Sequence, residues 1–242
     1  MSLDVVLTHL GYILNSDLLF QPWANPKTWR MRYYRQSSSL YAYWESSSLE
    51  DALSGHDIIV IGASAGGIEA LRTLVQALPA HFPASVFVVL HIQAHKPSML
   101  PTLLSLAGPL RAFHPLHLAL LERERIYVAP PDCHLLVEVG QVRLGKGLTE
   151  KWSRPAIDPL FRSAAHAYGP RVVGVILTGA RDDGTAGLLA VKRSGGVAIV
   201  QDPDSARFTA MPRSALASVT VDYTVSLSSI APLLVRLVAF DH

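Results

Sequence analysis

The stretch DIIVIGASAGGIEAL, residues 57–71, determines how this chain folds. Four consecutive aliphatic residues, Ile58–Ile61, lead into a turn of small residues from Gly62 to Gly67, and a helical pattern begins at Ile68. A strand that is apolar at every position is typical of a parallel sheet whose two faces are both covered. The segment therefore predicts the first strand, turn and helix of an open α/β sheet.

The serine in this turn distinguishes two kinds of site. A dinucleotide-binding loop reads G-x-G-x-x-G and has an acidic residue at the end of the second strand. Here Ser64 stands at the middle glycine and the second strand closes at His91, and no G-x-x-x-x-G-K-[ST] motif occurs. The pattern Gly62-x-Ser64-x-Gly66 instead fits the elbow that presents a nucleophilic serine between a strand and a helix. We interpret Ser64 as a candidate nucleophile.

Apolar strands and helical periods alternate from residue 57 onward. The predicted strands after Ile58–Ile61 are Val86–His91, Val172–Thr178, Val197–Gln201 and Val221–Val225. One helical face is formed by Ile68, Leu71, Val75 and Leu78, and another by Ile230, Leu233, Leu234, Leu237 and Val238. This alternation predicts a doubly wound, mostly parallel sheet with helices on both faces, a Rossmann-like three-layer α/β sandwich. A small β-hairpin, His134–Val139 and Gln141–Leu144, is predicted to turn at Gly140.

Composition excludes several classes of protein. The net charge is only +2 with the charges dispersed, which argues against nucleic acid as the main partner. A single cysteine excludes an intrachain disulfide, and no apolar run approaches the roughly 18 residues of a membrane span. The N-terminus carries Asp4 and no early lysine or arginine, which makes a poor secretory signal. We expect a cytoplasmic protein without membrane insertion.

Residues 1–56 differ in character from residues 57–242, the predicted catalytic domain. They hold three of the four tryptophans, five of the eight tyrosines and two serine runs, without a sustained period. We predict an N-terminal extension of unknown role with short helical pieces. Its aromatic residues would dock on the main body or on a partner, or the segment is a weakly ordered leader.

Three chemically active residue types follow predicted strands at the same edge of the sheet. Ser64 follows one strand, His91 closes the next, and Asp182 and Asp183 follow Val172–Thr178. A serine hydroxyl is a poor nucleophile unless a neutral imidazole takes its proton, and a carboxylate fixes the tautomer of that ring. Because ligands of open α/β sheets bind beyond the carboxyl ends of the strands, the sequence favours a serine–histidine–aspartate site.

Each of these residues also has a structural interpretation. Ser64 would be a small turn residue and His91 a core histidine, and the two aspartates would cap a helix starting near Gly184. With Asp202 and Asp204 nearby, the aspartates also suggest a cation site. However, no histidine or cysteine stands at ligand spacing to them, so no metal site is predicted.

Several separated motifs resemble one known family. In chain order they are IGASAGG, LH at residues 90 and 91, YVAPPDCHL, RPAIDPLF, GVILTG, DDGTAGL and MPR. Together, over about residues 57–240, they resemble the catalytic domain of the CheB family, the chemotaxis-receptor methylesterases. The resemblance implies hydrolysis of γ-glutamyl methyl esters on receptor signalling helices, glutamine deamidation as a further activity, and a methylated chemoreceptor as partner.

The resemblance also implies roles for individual residues. Ser64 would be the nucleophile, His91 the general base and Asp183 the orienting carboxylate, with the backbone N–H groups of Ala65 and Ala180 as candidate oxyanion donors. No metal or organic cofactor would be required. Arginines that would face an acidic receptor helix are Arg154, Arg162, Arg181 and Arg213.

This sequence departs from the family pattern in three respects. Ala65 replaces the threonine that commonly follows the nucleophile, and TGARDDG replaces TGMGNDG, which implies a different substrate-facing loop. Residues 1–56 are too short for the receiver domain of regulated members, so we expect a stand-alone domain unregulated in cis. Two other functions stay open at this point, a catalytically idle binding module and a general small-molecule carboxylesterase.

Overall fold

The computed structural model describes residues 29–36, 39–46, 55–92 and 97–239. The chain divides into two compact units, Met1–Ala52 and Leu53–His242. Among the described residues, no helix has both the length and the hydropathy needed to cross a membrane.

The described part of the first unit is a β-hairpin rather than a set of short helices. Strand β1 (Trp29–Gln36) pairs antiparallel with β2 (Ser39–Ser46), with Trp29 opposite Ser46 and Gln36 opposite Ser39. The helical prediction was therefore wrong for these residues, because tryptophan and tyrosine, which are common here, favour pleated strands. The rest of that prediction falls on residues 1–28, 37–38 and 47–54, which lie outside the described part.

The second unit is built on parallel strands connected by helices. Its strands are β3 (Ile58–Ala63), β4 (Ser85–Leu90), β5 (Arg111–Phe113), β6 (Arg125–Val128), β7 (His134–Glu138), β8 (Gln141–Gly145), β9 (Val172–Ile176), β10 (Val197–Gln201) and β11 (Tyr223–Val225). Its helices are α1 (Gly67–Gln76), α2 (Leu100–Ala107), α3 (Ile157–Tyr168), α4 (Thr185–Arg193), α5 (Ala210–Ser218) and α6 (Leu227–Ala239).

Seven of the described strands form one sheet in the order β11-β10-β9-β3-β4-β6-β5, and every pairing in it is parallel. The central strand β3 pairs with β4 on one side and β9 on the other, so that Ile58 lies opposite both Ser85 and Val172. The direction of winding reverses between β3 and β9. This reversal creates the crevice at the carboxyl ends of the strands where such folds bind ligands.

Alternate residues of β3 point into two separate cores. Ile59 and Ile61 pack in a core with α1, α2 and α6, whereas Ile58 and Val60 pack in a core with α3, α4, α5 and the hairpin β7–β8. Both faces of the sheet are therefore covered, which explains why β3 is apolar at every position. The predicted fold class and the separate hairpin, with Gly140 at φ 76°, are confirmed.

Helix α1 follows the predicted face with one exception. Leu71 and Val75 are buried, and so is Leu78 just beyond the helix, but Ile68 is 41% exposed. Ile68 belongs to the first turn of α1, directly after the elbow, so it reaches the edge of the sheet rather than its face.

Gly62 allows the first turn of α3 to approach the end of β3. A Cβ atom at this position would lie 2.4 Å from Cγ2 of Ile157, which is fully buried and opens α3. No side chain larger than hydrogen fits there without displacing Ile157. The glycine of the predicted elbow therefore also brings a helix N-terminus next to the nucleophile turn.

Candidate active site

The elbow after β3 is held by backbone hydrogen bonds on both sides of Ser64. The N–H of Ser64 donates to the carbonyl of Thr178 at 3.1 Å, and the carbonyl of Ser64 accepts the N–H of Gly67 at 2.9 Å. Gly66 has φ 73°, in the left-handed region where a side chain is strained. The turn thereby presents Ser64, half-buried, at the carboxyl edge of the sheet.

Ser64, His91 and Asp183 form a continuous hydrogen-bonded chain. Nδ1 of His91 lies 3.0 Å from Oγ of Ser64, and Nε2 lies 2.7 Å from Oδ2 of Asp183. Because an ionised carboxylate only accepts hydrogen bonds, Nε2 carries the proton and Nδ1 is left to accept the serine proton. The Asp183 side chain is 2% exposed and that of His91 18% exposed, so the chain runs from the interior to the crevice.

The N-terminus of α3 surrounds the Asp183 carboxylate. Oδ2 accepts the N–H of Ile157 at 2.7 Å, and Oδ1 accepts those of Asp158 at 3.1 Å and Gly184 at 2.9 Å. The first N–H groups of a helix have no partner within the helix and carry a partial positive charge, so a carboxylate is stabilised there. The sequence did not predict this contact, although the RPAIDPLF motif that supplies it was part of the resemblance.

These contacts determine the charge state of Asp183. Burial raises the pKa of its carboxyl, but the hydrogen bonds from His91, Ile157 and Asp158 outweigh burial and hold the pKa below its ordinary value. Asp158 differs, because its burial prevails over the hydrogen bond from Gly187 and raises its pKa. Of Asp158 and Asp183, Asp183 is therefore the one that ionises more readily.

The lowered pKa of Asp183 predicts a pH-dependent contribution to stability. The carboxylate stabilises the fold at pH values above the unfolded pKa of about 3.9, and this contribution disappears as the pH falls through the lower folded pKa. We expect the difference in unfolding free energy between the wild type and Asp183→Asn to be constant above about pH 5 and to shrink below about pH 4. Urea unfolding at pH steps between about 3 and 7 measures it.

The matched control for this measurement is Asp182→Asn. Asp182 is exposed and its ion pair with Lys151 lies at the surface, where such pairs contribute little to stability. A difference between the wild type and Asp183→Asn that stays constant down to pH 3 would contradict the depressed pKa.

Asp182 points away from His91 into an open cavity of about 550 Å³. The cavity is lined by Lys151, Trp152, Arg181 and Asp182, and Lys151 donates a hydrogen bond to Asp182. Trp152 is 89% exposed, and the backbones of Lys151, Trp152 and Arg181 are left-handed, with φ of 51°, 66° and 66°. Strained backbone of this kind is concentrated at active sites and ligand-binding positions.

The backbone N–H groups of Ala65 and Ala180 belong to peptide units whose carbonyl groups are held by hydrogen bonds. The carbonyl of Ser64, in the peptide unit of the Ala65 N–H, accepts the N–H of Gly67. The carbonyl of Gly179, in the peptide unit of the Ala180 N–H, accepts the N–H of Met211 at 3.1 Å. A trans peptide directs its N–H opposite to its C=O. Neither N–H donates a hydrogen bond to any acceptor in residues 55–92 and 97–239, so both are free to bind an oxyanion.

The four arginines expected to face a receptor helix separate into two groups. Arg154 donates to the Asp132 carboxylate and to backbone carbonyl groups, and Arg162 forms an ion pair with Glu150. Arg181 and Arg213 have no ion pair among the residues that the structure describes. Of these two, Arg181 lines the cavity beside Asp182.

The structure bears on the two alternative roles considered for the aspartates, helix capping and cation binding. Asp202 accepts the N–H of Asp204 at 3.0 Å and so caps the 3₁₀ helix Pro203–Ser205. Helix α4 begins after Gly184 without a side-chain cap, so Asp183 does not cap it. Within the described residues, no three side chains among histidine, cysteine, aspartate and glutamate converge as a metal site would require.

Comparison with known proteins identifies the family. The family model described as CheB methylesterase matches residues 59–234. The chain belongs to the CheB methylesterase family. The crystal structure of the Thermotoga maritima CheB methylesterase catalytic domain superposes with a TM-score of 0.72 and 32% identity, covering 75% of this chain and 98% of that one. The fold described above is therefore that of a CheB catalytic domain.

Curated relatives of the CheB family agree with this assignment. A protein from Leptospira interrogans is 40% identical over 183 residues, which are 75% of this chain and 95% of that protein. Protein-glutamate methylesterase/protein-glutamine glutaminase 2 of Methanosarcina mazei is 32% identical over 202 residues, 80% of this chain and 55% of its own. The chain thus spans nearly the whole of one relative and about half of the other.

Proposed function

We propose that this CheB-family chain hydrolyses γ-glutamyl methyl esters on the signalling helices of chemoreceptors in the cytoplasm, and that the same site deamidates glutamine there. The observation that carries the proposal is the hydrogen-bonded chain Ser64–His91–Asp183 at the switch point of the sheet. The name of the Methanosarcina mazei relative, protein-glutamate methylesterase/protein-glutamine glutaminase 2, covers both reactions.

The first half of the reaction transfers the glutamyl group to the enzyme. Oγ of Ser64 attacks the ester carbonyl while its proton passes to Nδ1 of His91. The carbonyl π electrons move to the oxygen, whose negative charge is bound by the N–H groups of Ala65 and Ala180. As the tetrahedral intermediate collapses, the C–O bond to the methoxy group breaks, and His91 returns the proton so that methanol leaves. Asp183 stabilises the imidazolium that forms in between.

The second half of the reaction releases the product. Water loses a proton to Nδ1 of His91 and attacks the acyl-enzyme carbonyl, forming a second tetrahedral intermediate in the same oxyanion site. Collapse breaks the bond to Oγ of Ser64, which regains the proton from His91. A glutamic acid side chain remains on the receptor and ionises by losing its own proton to water. With glutamine the first leaving group is ammonia instead of methanol, and no resident metal or cofactor is needed for either substrate.

The test compares two esters. Methanol release is measured with a purified, methylated chemoreceptor signalling fragment, p-nitrophenol release is measured with p-nitrophenyl acetate, and Ser64 labelling is followed with a fluorophosphonate probe. We expect rapid release from the receptor fragment, slow turnover of the small ester and labelling at Ser64. The reverse ester preference would indicate a general carboxylesterase. No turnover of either ester and no labelling would indicate an idle binding module.

The position of Arg181 in the cavity predicts that its charge contributes to substrate binding. Arg181→Ala should raise KM for the receptor fragment by about fivefold, as expected from an exposed charge pair worth about 1 kcal/mol, with kcat unchanged. The increase should diminish at higher salt, because exposed charges are screened. Arg193→Ala is the control, since Arg193 ends α4 at the opposite edge of the sheet and is also exposed. Equal KM values for the two variants would remove Arg181 from substrate binding.

A further inference from the structure

Thr178 is a buried polar residue that the mechanism above does not use. It lies two residues beyond β9 and is 1% exposed. Its hydroxyl accepts the N–H of Phe208 at 2.8 Å and shares its single proton between the carbonyl of Ala65 at 3.1 Å and the carbonyl of Phe208 at 3.2 Å. Its own carbonyl accepts the N–H of Ser64 at 3.1 Å.

These contacts join the turns that carry the two oxyanion donors. The carbonyl of Ala65 belongs to the peptide unit directly after the Ala65 N–H, so holding it restricts the rotation of that donor about the intervening backbone bonds. On the other side, the carbonyl of Phe208 also accepts the N–H of Gly179 at 3.0 Å, next to the peptide unit that carries the Ala180 N–H. One hydroxyl therefore links both donor-bearing turns.

The backbone of Thr178 is fixed from the opposite direction. Its N–H donates to Oε1 of Gln201 at 2.8 Å, and Nε2 of Gln201 donates to the carbonyl of Ser205 at 3.0 Å. Gln201 ends β10 and is also 1% exposed. Thr178 is thus anchored to the loops that follow β3, β9 and β10, and it cannot move without breaking buried hydrogen bonds.

We propose that Thr178 is a positioning residue that sets the distance between the Ala65 and Ala180 N–H groups through its hydroxyl. This inference rests on the proposed function, since it concerns the oxyanion site of the same reaction. Misplacement of a catalytic group by about 1 Å can lower the rate about 10²-fold, even when the altered side chain never touches the substrate.

The experiment compares three substitutions at this position. Thr178→Val keeps the shape and removes the hydroxyl, Thr178→Ser keeps the hydroxyl, and Thr178→Cys offers only a weak S–H donor. We expect Thr178→Val to lower kcat for methanol release about 10²-fold with KM unchanged, Thr178→Ser to stay near the wild-type rate, and Thr178→Cys to lie between them. Fluorophosphonate labelling of Ser64 should follow the same order, because its P=O oxygen occupies the same oxyanion site.

The outcomes separate this inference from the proposed function. A wild-type protein that neither labels nor releases methanol would overturn both. If the wild type reacts, two results would overturn the inference alone. One is a Thr178→Val variant that reacts as fast as the wild type, and the other is Thr178→Ser and Thr178→Cys variants that react as slowly as Thr178→Val. If the Val variant does not fold, the comparison of Thr178→Ser with Thr178→Cys decides, with thermal unfolding measured for each.

Discussion

Replacing Ser64 by alanine, or His91 by glutamine, should lower kcat for methyl ester release about 10⁶-fold, and the double variant should be no worse than either single one. This magnitude and its non-additivity are those found when the serine or histidine of another hydrolase triad is removed. The physical reason is the 3.0 Å contact between Nδ1 of His91 and Oγ of Ser64, because neither group acts without the other.

Single-turnover measurement of methanol release from the methylated receptor fragment tests this prediction. His166→Gln is the matched control, since His166 is exposed in the last turn of α3, at the edge of the sheet opposite to the crevice. It should keep the wild-type rate. Losses that multiply in the double variant would show that Ser64 and His91 contribute independently and would contradict the transfer of the serine proton to His91.

Asp183→Asn should lower kcat about 10⁴-fold, whereas Asp182→Asn should stay within about tenfold, or ~1.4 kcal/mol of barrier. The 10⁴-fold loss is the one found when the triad aspartate of a serine protease is replaced by asparagine. An asparagine amide at position 183 would place an NH₂ group against N–H donors of His91 or α3. The imidazole would then favour the tautomer that has its proton on Nδ1, facing Ser64. Asp182 contacts Lys151 rather than the imidazole.

Methanol release for the two asparagine variants measures this difference, and Asp182→Asn serves as the control of equal chemistry at the adjacent position. Circular dichroism of both variants shows whether the N-terminus of α3 remains formed. Similar, small losses for the two variants would remove Asp183 from the mechanism and favour the idle module.

The sequence by itself determined the features that depend on local patterns. Continuous apolar runs such as Ile58–Ile61 predicted a sheet buried on both faces, and the structure confirms it. The elbow at Ser64 could be recognised because a sharp turn between strand and helix needs glycine at particular positions, and Gly66 does adopt a left-handed conformation. Where the local pattern was ambiguous, as in residues 29–36 and 39–46, the predicted structure was wrong.

Only the tertiary structure decided which side chains of similar type meet. Asp182 and Asp183 are adjacent in sequence, but one faces Lys151 and the other faces His91, which is 92 positions away in the chain. Likewise, the structure shows Arg162 paired with Glu150 and Arg181 without an ion pair among the described residues, although the two look equivalent in sequence. Which side chains come into contact depends on the directions in which the turns leave the sheet.

The support for the site was the least accessible to sequence reasoning. The N–H groups of Ile157 and Asp158 that hold Asp183 are backbone groups, and the hydroxyl of Thr178 binds backbone partners in two turns. Backbone groups leave no signature in the sequence, because their partners depend on where the chain passes rather than on which residue is present. The residue types of the site could therefore be predicted, whereas the hydrogen bonds that orient them required the fold.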